Sequence, residues 1–187
     1  MARELETAGD YEAARLALDG VWQRVGERPH LEGLDRATSA EVLLRAGSLS
    51  GYIGSARQID GAQETAKDLL SESATAFEGL GRPEKVAEAN IALAICYFRE
   101  GSLDEARVTL QQVLSGLAED QHELRARALL NSAIVEGSAL RLSDALRILV
   151  DSAPLFDESD NHALQGNFHS VLATVLKNLG ATEGRAD

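Results

Sequence analysis

Four alanines set the hydrophobic rhythm of the chain. Residues 9 to 14 read GDYEAA, 61 to 66 GAQETA, 101 to 106 GSLDEA and 140 to 145 LRLSDA, and in three of the four a glycine stands five positions before the alanine. Four positions after Ala14, Ala66, Ala106 and Ala145 come Leu18, Leu70, Leu110 and Leu149. Eight after come Trp22, Ala74, Leu114 and Ala153, and eleven after come Val25, Phe77, Leu117 and Phe156. Steps of four, four and three follow one face of an α-helix. Each segment is therefore expected to be an amphipathic helix entered through a turn.

The same register read backwards predicts a partner for each helix. Twelve positions before the last three alanines stand the small residues Gly54, Ala94 and Ala133, and thirteen before stand Ile53, Leu93 and Ser132. Small residues at matched points of two antiparallel helices let the backbones approach, and larger neighbours fill the groove. A small residue in the first helix, a glycine in the turn and an alanine in the second helix resemble the signature of the tetratricopeptide (TPR) repeat. The best match is PEKVAEANIALAICYFREGSLDEARVTLQQVLSGL, residues 83 to 117, in which Leu93, Ala94, Tyr97, Gly101, Leu103 and Ala106 fall on signature positions and Asn90 replaces the usual aromatic. The last alanine intervals, 40 and 39, exceed the minimal TPR unit, so the helices should be longer than usual. In this the chain is similar to TPR segments of large bacterial signalling and transcription regulators. Two departures stand out: Leu140 replaces the turn glycine, and the first interval is 52. The surplus falls at GERPHLEGLDR, residues 26 to 36, where Gly26, Pro29 and Gly33 break helices.

What the resemblance implies is an all-α fold, a right-handed TPR-like superhelix of antiparallel helix pairs with about four repeats and an unpaired terminal helix. Its expected units are 1–25 (a truncated first repeat), a loop at 26–36, then 37–80, 81–118, 119–157 and an incomplete fifth at 158–187, all in one array. In the fifth unit Leu172, Ala173, Leu176 and Gly180 repeat the first-helix and turn positions. Solenoids need terminal units with a polar outer face, and no C-terminal cap is evident. The expectation is a fragment of a larger regulatory protein, or a homodimer through the uncapped C-terminal end.

Composition narrows the partners. A formal charge of −12, from 30 acidic against 18 basic residues, repels nucleic acid and anionic membrane surfaces. No apolar run suits a signal peptide or a membrane span, and the lone Cys96 cannot form an internal disulfide, so the cytoplasm is the expected compartment.

Catalytic and metal motifs fail on spacing. His122–Glu123 opens like a zinc-protease motif, but Ala126 stands where the second histidine is needed, and His162 and His169 lie two helical turns apart. The loop DESDNH, residues 157 to 162, lacks the central glycine and distal glutamate of a calcium loop and reads as a turn, with Asp160 or Asn161 capping the next helix. AGSLSGYIGS, residues 46 to 55, has no lysine for a phosphate loop, and its glycines fit close helix packing. Cys96 and Trp22 read as core. No enzyme, cofactor or metal is expected.

A protein or peptide partner is expected instead. In TPR-like arrays the first helices line the concave surface, and the register carries the family's groove positions onto Glu88, Ile91, Ile95, Phe98 and Arg99, onto Arg127, Leu130, Ile134 and Ser138, and onto Asn167, Ser170, Thr174, Lys177 and Asn178. Ile91, Ile95, Phe98, Leu130 and Ile134 would form an apolar strip for a partner helix or extended segment, or else pack between repeats. Arg99, Arg127 and Lys177 would pair with partner carboxylates. Ala92 and Ser55 replace amides that the family's carboxylate clamp requires, which disfavours a chaperone-tail receptor. A small-molecule-sensing regulatory domain and a purely structural oligomerisation segment are the alternatives.

Overall fold

A computed structural model describes residues 1–183. Among them every regular element is an α-helix: α1 (Ala2–Thr7), α2 (Tyr11–Leu16), α3 (Arg36–Arg57), α4 (Ala62–Gly79), α5 (Pro83–Glu100), α6 (Leu103–Gly116), α7 (His122–Ser138), α8 (Leu142–Asp157) and α9 (His162–Glu183). The all-α expectation holds. The alanine register is also a packing register, because Ala14, Ala66, Ala106 and Ala145 are all completely buried. The helices form two compact units, Met1–Ser102 and a second that begins at Leu103.

In the first unit α3 packs along α4, and α4 along α5. Three glycines of α3 make this possible. A Cβ at Gly47 would lie 2.8 Å from Leu70 Cγ, one at Gly51 would lie 2.7 Å from Cys96 Sγ, and one at Gly54 would collide with Ala62 Cβ. The space that a side chain would occupy is filled by the neighbouring helix. Two apolar clusters flank this contact, one around Trp22, Leu43, Leu49 and Leu69, the other around Leu44, Leu70, Phe77 and Cys96.

The first unit departs from expectation between Ala14 and α3. The helix expected to run to Val25 stops at Leu16, and the next bonds span three residues: Leu18 N–H donates to Arg15 O (3.0 Å) and Asp19 N–H to Leu16 O (3.1 Å). Asp19 and Gly20 are poor helix residues, and the chain tightens and turns there. Trp22 is buried all the same, its indole N–H donating to Glu27 O at 2.8 Å. The irregular stretch, residues 17–35, thus exceeds the loop expected at 26–36. It is fastened by Gly26 N–H donating to Ser50 Oγ (3.2 Å) and the Thr65 hydroxyl donating to Gly26 O (3.0 Å). Asp35 then opens α3, accepting from the N–H groups of Ala37 and Thr38.

In the second unit α7 packs on α6 and α8, and α9 on α8 and α7. Its core gathers Leu130, Ala133, Leu149, Phe156, Leu164, Phe168 and Val175, with Phe156 and Phe168 stacked at 4.3 Å. Asn161 caps α9, its Oδ1 accepting from Leu164 N–H at 3.0 Å. The turn expected at Gly180 does not form: α9 runs on through it, and Ala173 is exposed. A single glycine costs a helix only about 1 kcal/mol and does not break it unaided.

The turn positions explain the repeated glycine. Gly9, Gly61 and Gly101 have φ of 81°, 72° and 83°, the left-handed conformation. Leu140 adopts it too, at φ 61°. Its side chain is 84% exposed, so the strain is not offset by burial.

Candidate functional site

Two helix faces in the first unit carry the densest polar chemistry. On α3, Glu41, Arg45, Ser48 and Tyr52 recur at steps of four, three and four, one stripe of a helix; on α5, Lys85, Glu88, Ala92, Ile95 and Arg99 recur at steps of three, four, three and four. Glu6 of α1 and Tyr11 of α2 complete the set.

At one end stands a buried ion cluster. Arg45 and Glu88 are each only 5% exposed. Arg45 donates through Nη1 to Glu6 Oε2 at 2.7 Å and through Nη2 to Glu88 Oε1. Its Nε lies 3.2 Å from Glu41 Oε1, an ion pair that leaves the Nε–H without an aligned acceptor. Lys85 bridges Glu41 (2.7 Å) and Glu88 (3.0 Å). Burial by itself would raise the Glu88 pKa, but Arg45 and then Lys85 outweigh it and hold the carboxyl at about 2. The Arg45 pKa is raised because Glu6, Glu88 and Glu41 overcome its desolvation. This cluster ties α1, α3 and α5 together.

At the other end the same faces carry aromatic rings. Tyr11 and Tyr52 stack at 3.6 Å with an interplanar angle of 26°, and the Arg99 guanidinium lies over the Tyr52 ring at 4.4 Å. Tyr52 is 39% exposed, while Tyr11 and Arg99 are half-buried. Burial lowers the Arg99 pKa; burial and the adjoining Tyr52 push Tyr11 up to about 12.

The structure distributes the expected groove residues unevenly. Glu88 is committed to the ion cluster, and Ile91 is fully buried. Ile95, Phe98 and Arg99 are half-buried. In the second unit Leu130 belongs to the core and Ile134 packs against it, Arg127 is half-buried and Ser138 exposed. On α9, Asn167, Ser170, Thr174, Lys177 and Asn178 are all exposed. Of the two expectations for the apolar strip, Ile91 and Leu130 follow the second: they are buried against neighbouring protein, because long helices bury more than one face.

The three cations picked from the register behave alike. The side chains of Arg99, Arg127 and Lys177 make no ion pair or hydrogen bond among the described residues, although acidic residues outnumber basic ones. Arg36 is likewise unpaired and Arg125 bonds only the Leu117 carbonyl, whereas Arg45, Lys67, Lys85 and Arg107 all hold carboxylates.

Sequence reasoning missed Arg45, Lys85, Tyr11 and Tyr52. Their signal was present in the steps of three and four that align Glu41 with Arg45 and Tyr52, and Lys85 with Glu88 and Arg99. The other candidates stay apart: Cys96 is buried against Gly51, its thiol pushed up to about 11 by desolvation. Among the described residues no three His, Cys, Asp or Glu side chains are grouped to hold a metal ion, and no helix is long and apolar enough to cross a membrane. No family model, no curated protein and no solved structure matches the chain.

Proposed function

We propose that the chain is a protein-interaction scaffold of TPR-like helix pairs, which uses first-helix cations to receive an acidic peptide segment or partner helix. The observation that carries this reading is the unpaired state of Arg99, Arg127 and Lys177 in a protein with 30 acidic residues. A cation left free amid so many carboxylates is available to a carboxylate from outside, and Arg offers a planar fork suited to one. Glycine turns, the buried alanine register and helices of up to 22 residues support the TPR-like reading of the frame. A role inside a larger bacterial regulator is part of the same proposal.

Selection of a random peptide-display library on the full chain tests it. Enrichment of acidic segments is expected, with binding weakened at least about ten-fold by Arg99→Glu or Arg127→Glu as charge attraction becomes repulsion. Recovery of no peptide, or of peptides indifferent to both reversals, overturns the reading.

A further inference from the structure

We propose that Arg99, Tyr52 and Tyr11 form a receptor for a single carboxylate, the anchor point of the acidic segment; this rests on the scaffold reading above and names the group recognised. The three side chains come from α5, α3 and α2 and converge within one compact unit. Arg99 supplies N–H donors and no acceptor, and a phenol O–H can add a further donor beside it. With the Tyr11 pKa at about 12, that phenol stays protonated across the physiological range and does not compete as an anion.

The nearby carboxylates are already engaged. Glu6, whose charge acts on Tyr11, is held by Arg45 at 2.7 Å, and Glu100, next to Arg99 in sequence, is held by Lys67 at 2.8 Å. Arg99 is therefore partly desolvated without a counter-ion, a state that an incoming anion relieves. The Arg99 guanidinium carbon lies 4.4 Å from the centre of the Tyr52 ring, and the N–H donors of a guanidinium lie along the edge of its plane. A planar carboxylate matches that edge with two parallel hydrogen bonds. The field of a chain of net charge −12 opposes any anion, and it opposes a phosphate dianion more strongly than the single charge of one carboxylate.

Backbone amide shifts of the full chain test this during titration with sodium acetate at ionic strength held constant with chloride. Saturable shifts are expected in residues 50–54 and 96–100, with acetamide inert. Arg99→Gln should weaken binding at least about ten-fold, and Tyr52→Phe, which keeps the ring and its stacking, about three-fold. N-acetylglycine and the α-amide of N-acetylglutamate then separate a chain-terminal carboxylate from a side-chain one; the tighter binder names the source. Unsaturable shifts, an unchanged response in Arg99→Gln, or inorganic phosphate binding as tightly as acetate would each overturn the assignment. Acetate binding without acidic peptides in the display selection would instead leave the receptor standing and remove the scaffold reading.

Discussion

In the first unit α3 meets its neighbours through three glycines and a buried guanidinium ringed by carboxylates, whereas in the second α7, α8 and α9 meet through aliphatic side chains and the stacked Phe156–Phe168 pair. The second unit buries one carboxylate at its helix contact, Glu136, paired with Arg107 at 2.5 Å. Apolar burial is forgiving of small shifts, since its energy follows area. A buried ion cluster tolerates no missing member, because each remaining charge then lacks its partner in a medium of low dielectric. The first unit is accordingly the one that charge changes should damage most, and in the second, apart from the Arg107–Glu136 pair, loss of volume should do the greater damage.

The largest expected effect tests that contrast. Arg45→Met leaves Glu6, Glu41 and Glu88 with Lys85 as their main counter-charge and should destabilise the first unit by about 3–5 kcal/mol. Adding Glu88→Leu to it should recover a large part of the loss. Trp22, the only tryptophan, lies in the first unit, so its fluorescence in denaturant titrations reads that unit directly. If the double variant is no better than the single one, the cluster does not act as a charge network.

Acid should separate the units next. The Glu88 carboxyl is depressed from about 4.5 to about 2, so its contribution is complete above the unfolded value and is lost as pH falls from 4.5 toward 2. The stake is on the order of 3 kcal/mol. Hydrogen exchange at pH 5 and at pH 3 should show protection falling in α3 and α5 before α7 and α8, and Glu88→Gln should flatten that dependence. Equal losses in both units would count against it.

Close packing comes third. Gly51→Ala places its Cβ 2.7 Å from Cys96 Sγ and should cost about 1–3 kcal/mol by overpacking. Cys96→Ala removes the obstructing sulfur and should restore part of this in the double variant; thermal melts of the four proteins close the cycle. Additive losses would mean that the α3–α5 contact is looser than the glycine implies.

The smallest effect has the opposite sign. Leu140→Gly relieves a left-handed leucine and should stabilise the second unit by about 1 kcal/mol, and Gly101→Ala should destabilise by a similar amount. A melting temperature lowered by Leu140→Gly would show that unfolded-chain entropy outweighs the relief of strain.

Local periodicity determined a good deal. The helical class, the alanine register, the glycine turns and a cap at Asp160 or Asn161 follow from spacing and from the conformations that each residue type allows, and these act over one or two turns of chain. The choice of Arg99, Arg127 and Lys177 as groove cations rested on the TPR resemblance carried along that register. Only the tertiary structure decided the rest. It ran α9 through Gly180, placed Leu140 in a conformation that its own preferences oppose, chose Asn161 over Asp160 as the cap of α9, and buried Ile91 and Leu130. It also drew Glu6, Arg45 and Glu88 together across 82 positions, and Tyr11, Tyr52 and Arg99 across 88. Periodicity fixes which face a residue occupies. Which neighbour that face meets depends on helices distant in sequence, and so a side chain becomes core, ion pair or open donor only when the fold closes.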